Sequence, residues 1–94
     1  MTTNAGDGVW IFLGERARFP SAVFRSLEKA EACIAENRFS GLLTWYPLDE
    51  LSYDWATRTE TFMPKKDHKK TREFRQEFVS SIHHYHYEDG KRRA

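Results

Sequence analysis

Two short runs of the chain, Val9 to Leu13 and Leu42 to Tyr46, are apolar at nearly every position, and two others repeat their apolar residues at helical spacing. In the first run Val9, Ile11 and Leu13 alternate with Trp10 and Phe12, so both faces of an extended chain are hydrophobic. That pattern predicts an inner strand covered on both sides. Gly14 to Pro20 is a charged turn, and Ser21 to Arg25 returns with Val23 and Phe24, which predicts a long-looped hairpin over residues 9–25. Ser26 then stands as an N-cap, and Glu28 suits the positive end of the helix behind it. Leu27, Ala30, Cys33 and Ile34 share one face of that helix, with Glu28, Glu31 and Glu36 toward water, until it ends near Asn37 and Arg38 with Phe39 folded under.

The stretch from Gly41 to Trp55 organises the middle of the molecule. Leu42 to Tyr46 reads as another strand apolar on both faces, and Pro47 cannot donate to a ladder, so pairing should stop there. Asp49 occupies an N-cap position ahead of Glu50, Leu51, Tyr53, Asp54, Trp55 and Ala56, a short helix reaching about Arg58. Phe62, Met63 and Pro64 lead into the solvated loop KKDHKK. Thr71 caps a third helix in which Phe74, Phe78 and Ile82 recur with Val79 beside them, and His83 to Glu88 alternates as a last strand. The order β-β-α-β-α-α-β predicts an α+β fold, a small mixed sheet of about four strands with two to three helices. Residues 9–89 form the single domain, between a small polar lead at 1–8 and a basic, frayed tail at 90–94.

Composition narrows the function classes more than it selects one. Of 94 residues 31% are charged, yet 15 Lys and Arg nearly cancel 14 Asp and Glu, which argues against nucleic-acid binding through bulk charge. The charge is unevenly spread, with a net of −3 up to Glu60 and +4 beyond it. One cysteine, Cys33, leaves no internal disulfide or Cys-based zinc site, and its helical face predicts a buried thiol. The first residues lack the pattern of a signal peptide and no run spans a membrane, so a cytoplasmic protein is expected.

Three surfaces carry candidate chemistry. Asp49, Glu50 and Asp54, with Tyr46, Tyr53 and Glu15, form an acidic, aromatic rim suited to a protein partner, since rings supply contact area and charges steer. His84, His86 and Glu88 fall on one face of the last strand and could share Zn²⁺, with His68 as a further ligand. Lys65, Lys66, Lys69, Lys70, Arg72 and Arg75 could track phosphates, with Phe62, Tyr85 and Tyr87 to stack on bases of RNA. Against each stands a plainer role: helix caps, cross-strand packing and a solvated charged face respectively. No Ser-His-Asp set, phosphate-binding glycine loop or nucleotide fingerprint occurs.

The segments WIFLGERARFPSAVF at residues 10–24, SLEKAEACI after it, GLLTWYPLDELSYDW at 41–55, FMPKKDH at 62–68 and HYHYE at 84–88 resemble a family of short, uncharacterised bacterial cytosolic proteins. Thr59, Glu60 and Thr61 stand where similar sequences carry a glycine-containing turn. The resemblance implies a stand-alone cytosolic domain, and by analogy of size and fold a toxin-neutralising immunity protein. The expectation is a non-enzymatic binding protein that covers the basic active site of a cognate toxin with the acidic rim and needs no cofactor. A metal-binding protein or metal-dependent hydrolase built on the His cluster, an RNA-binding accessory, and a homodimer through an open sheet edge remain the alternatives.

Overall fold

The computed structural model describes residues 8–80 and 83–93. It is an α+β fold in the order β-β-α-β-α-α-β-β, one strand more than the sequence pattern predicts. The elements are β1 (Gly8–Gly14), β2 (Ala22–Phe24), α1 (Leu27–Asn37), β3 (Gly41–Pro47), α2 (Ser52–Arg58), α3 (Arg72–Glu77), β4 (His84–Glu88) and β5 (Lys91–Arg92), with a 3-10 turn at Asp67–Lys70. The five strands lie in the order β2-β1-β3-β4-β5, and every neighbouring pair is antiparallel. Because β2 and β3 both flank β1, α1 crosses over β1 to join them.

Register decides which side chains meet. Trp10 lies opposite Trp45 and Phe12 opposite Leu43, and Leu43 in turn faces Tyr85. This parity carries the core: Phe12, Leu43 and Tyr87 close on Ala30 and Ile34 of α1, with Trp10, Phe24, Leu27 and Tyr85 packed around them. Farther along the same face Trp45 packs against Trp55 and Ala56 of α2. Phe62, Phe74 and Phe78 pack with Tyr53 into an aromatic group, closest at the 4.8 Å between Phe62 and Phe78. The helices therefore cover one face of the sheet.

Local signals explain most of the element ends. The Ser26 hydroxyl accepts the Lys29 N–H at 3.1 Å and the Thr71 hydroxyl accepts the Phe74 N–H at 3.2 Å, so both expected caps form. Arg38 turns left-handed at φ 56, and the Phe39 N–H reaches back to the Ile34 carbonyl, which ends α1 while Phe39 stacks on Phe12. Asp49 is not the cap of α2: it is itself left-handed at φ 63, and Leu51 takes the cap position without a side-chain hydrogen bond. In the turn after α2, Glu60 is left-handed at φ 61. Phe78 is already extended, so α3 stops before it, and Ile82 lies outside the described residues.

The C-terminal segment is the largest departure from the sequence pattern. Asp89 and Gly90, at φ 54 and 85, make a two-residue turn of the kind that matches strand twist, and Lys91–Arg92 pair back on β4. This turn sits on the end of α1, where the Gly90 N–H donates to the Phe39 carbonyl and a side chain at Gly90 would press on Arg38. Glu31, expected to face water, instead accepts hydrogen bonds from the Tyr87 hydroxyl and the Arg92 guanidinium, both at 2.5 Å. Arg92 also lies 3.9 Å over the Tyr85 ring. Cys33 is half-buried, with the Asn37 amide 3.6 Å from its Sγ.

Two predictions follow from these contacts. A Cβ on Gly41 would collide with the Leu13 carbonyl oxygen and lie 2.9 Å from the Phe12 ring, so Gly41→Ala should lower the unfolding free energy by about 2 kcal/mol in urea titration. Burial works to raise the Glu31 carboxyl, but the hydrogen bonds from Tyr87 and Arg92 and the Arg92 charge outweigh it and hold it below 4.5. A depressed folded value means its contribution is complete above pH 4.5 and is lost as pH falls through the lower value. Glu31→Gln should therefore cost on the order of 1 kcal/mol at pH 7, and the gap to wild type should close on acidification.

Candidate functional site

The face of the sheet away from the helices is a candidate site. Strand alternation sends Val9, Ile11 and Leu13 of β1 to it, and pairing places Tyr46, Thr44 and Leu42 of β3 opposite them in that order. Val23 of β2 lies beside Ile11, while His84 and His86 of β4 extend the row from Thr44 and Leu42. Among the described residues no helix packs here, because α1 and α2 are both engaged with the opposite parity. Val23 is 63% exposed, most of its neighbours are half-buried, and Thr44 in the middle is covered by the side chains around it. The expectation that β1 and β3 are covered on both sides is thus corrected: the strands are central, but among the described residues no helix covers one of their faces.

At one end of this face a concavity of about 340 Å³ is lined by Leu13, Glu15, Leu42, His86 and Arg93. Its walls mix apolar and charged groups, with Arg93 reaching Glu88 at 3.5 Å. At the other end, past Pro47, the chain exposes Leu48 and Leu51, with Asp49 exposed between them. The apolar face is therefore bordered by charge at both ends.

The acidic rim read from the sequence is divided by the fold. Glu15 follows Gly14, whereas Asp49 and Glu50 follow Pro47, and the seven residues of β1 separate these ends by roughly 20 Å. Tyr53 is buried against Phe62, Phe74 and Phe78 and is a core residue, unavailable to a partner. Glu50 is half-buried and paired with Arg58 at 2.6 Å, which raises the arginine further through hydrogen bond and charge. Asp49 and Asp54 remain exposed, and Tyr46 belongs to the open face.

The other two sets are also rearranged. The rings of His84 and His86 meet edge to face at 5.2 Å on the open side, while Glu88 turns to Arg93 and His68 lies edge-on to Phe74 on the 3-10 turn. Among the described residues no three His, Cys, Asp or Glu side chains converge on a metal position. Of the six basic residues, Arg72 pairs with Glu73, Lys69 lies 5.9 Å over Phe62, and the Arg75 Nε is buried without a hydrogen-bond partner. Tyr87 is buried and Tyr85 is covered by Arg92, so neither ring stands out from the surface as a stacking platform. Lys65, Lys66 and Lys70 are exposed.

The sequence reading missed the open face because it counted Val9, Ile11 and Leu13 as core. A signal was present in the partner strands: Thr44, His84 and His86, all on this parity, are poor candidates for a second buried layer. No helix among the described residues is long and apolar enough to cross a membrane. Residues 9–93 match the model of a domain of unknown function (DUF7710), and the chain belongs to that family. No curated protein and no solved structure matches it.

A substitution test separates the two parities. Val23→Lys on the open face should change stability by no more than about 0.5 kcal/mol. Ile34→Ala beneath the helix-covered face should cost about 3 kcal/mol, since Ile34 is 1% exposed and its removal leaves a cavity. Thermal or urea unfolding of the two variants checks the assignment.

Proposed function

We propose that this chain is a non-enzymatic protein-binding module that docks its partner on the open face of the sheet. The observation that carries this reading is the uncovered row of Val9, Ile11, Leu13, Leu42 and Tyr46, with Val23 beside it. An apolar sheet face rimmed by polar groups suits a protein partner better than a small substrate. Its exposed corner at Leu48, Asp49 and Leu51 adds apolar contact and negative charge, and Asp54 on α2 adds a second free carboxylate. The partner these features fit has an apolar centre and a basic rim.

The finer form of the proposal is an immunity protein that occludes the basic active site of a toxin. It is supported by the resemblance to short bacterial cytosolic proteins and by the free carboxylates Asp49 and Asp54. Glu50 contributes less to steering because Arg58 already neutralises it.

Capture by the tagged chain from its own cells, followed by measured affinity for the stoichiometric protein recovered, tests the general reading. Leu13→Lys combined with Val23→Lys should weaken that complex at least tenfold while circular dichroism stays unchanged. Retained affinity in the folded double variant would exclude the open face as the docking surface. Asp49→Lys with Asp54→Lys should slow association most at low salt and converge on wild type as salt rises. A rate that ignores both charge and salt removes the steering role, and a partner without toxic activity removes the immunity reading alone.

A further inference from the structure

The opposite face holds a separate cavity of about 350 Å³, at the end of the sheet where α1 begins. Trp10, Trp45 and Leu27 supply its apolar walls, and Arg25, Ser26 and His83 supply its polar ones. Its size lies within the range of roughly 300 to 1,000 Å³ typical of small-molecule sites. Of these polar groups, Arg25 is the one that neither the docking surface nor the core packing accounts for.

Both indoles are held by rings behind them. Trp10 stacks on Tyr85 at 5.8 Å, and Trp45 is fixed by Trp55 at 5.1 Å and by the edge of His83 at 5.7 Å. Gly8 is required for this arrangement, because any side chain there would collide with the Trp45 indole. The walls are therefore set before anything enters, which lowers the ordering cost of binding. Arg25 is exposed and, like Arg16, Arg18, Arg38 and Arg75, has no ion pair among the described residues, so its guanidinium can meet a ligand. The Ser26 hydroxyl is already engaged as the cap of α1.

We propose that this cavity binds a small aromatic carboxylate, its ring against the indoles of Trp10 and Trp45 and its carboxylate on Arg25 with His83 beside it. Indole faces favour a flat ring in offset or edge contact. The planar guanidinium of Arg25 matches a carboxylate with two parallel hydrogen bonds. A neutral aromatic would leave the arginine unused, and an aliphatic acid would forfeit the ring contacts. The cavity is distinct from the open face, so this site and the protein-docking reading stand or fall separately.

The test titrates phenylacetate into the full chain and follows the indole N–H resonances in proton–nitrogen NMR correlation spectra, with phenylacetamide as the uncharged match. Saturable shifts at Trp10 and Trp45 are expected, with the amide about tenfold weaker. Arg25→Gln, at an exposed position, should keep the spectral dispersion of the folded chain and reduce phenylacetate to the level of the amide. The open-face variant Leu13→Lys with Val23→Lys should bind phenylacetate as wild type does. Absence of saturable shifts at these indoles, equal affinity for acid and amide, or full affinity in Arg25→Gln would each overturn the proposal.

Discussion

The rest of the structure depends on where the large rings stand in the sheet. Trp10, Phe12 and Phe24 share one parity with Trp45, Tyr85 and Tyr87, and antiparallel pairing brings them to the same face. A buried ring removes on the order of 150 to 250 Å² from water, at about 25 cal/mol per Å². The aliphatic side chains on the other parity offer less area per residue. Helices gain more by packing on the ring side, and all the ring-bearing connections between β3 and β4 go there as well. With both α1 and α2 committed to that face, the aliphatic face is left open, and the asymmetry of the molecule follows from the asymmetry of its side chains.

The second constraint acts through the C-terminal hairpin. Glu31 on α1 is joined to Tyr87 on β4 and Arg92 on β5, so one carboxylate ties the helix to the last two strands. Burial, first among the causes, and the hydrogen bond to Glu31 both raise the Tyr87 hydroxyl, which keeps it protonated as the donor in this group. Gly90 and Asp89 add backbone contacts to Phe39 and Ser40 at the end of α1. A segment that looks like a loose basic tail thus becomes the sheet edge. Its short strand and its charges also protect that edge from pairing with another chain.

These two constraints separate the candidate sites. The open face is aliphatic, with polar groups at its margins, as a surface for another protein would be. The cavity beside Trp10 and Trp45 is small, aromatic and cationic, and lies on the side where the helices leave the end of the sheet uncovered. Histidines divide between the two environments by the same alternation: His84 and His86 lie on the open side, His83 on the aromatic side. Adjacent residues of β4 and the position before it therefore belong to different chemistry.

The helix caps at Ser26 and Thr71, the two central strands and the α+β order are legible in the sequence because each rests on neighbours within a few residues. Asp89-Gly90 is also a local turn signal, masked because the strand it returns is only Lys91 and Arg92. Glu31 could not be assigned from its helix, since its partners are 56 and 61 positions away. Nor could the acidic residues be grouped: Glu15 and Asp49 each follow the end of a strand, yet register places them at opposite ends of β1 and β3. Local sequence determined the elements and their parity, because alternation and capping are short-range geometry. The tertiary structure alone decided which parity would be covered, because that choice compares the burial of residues far apart in the chain.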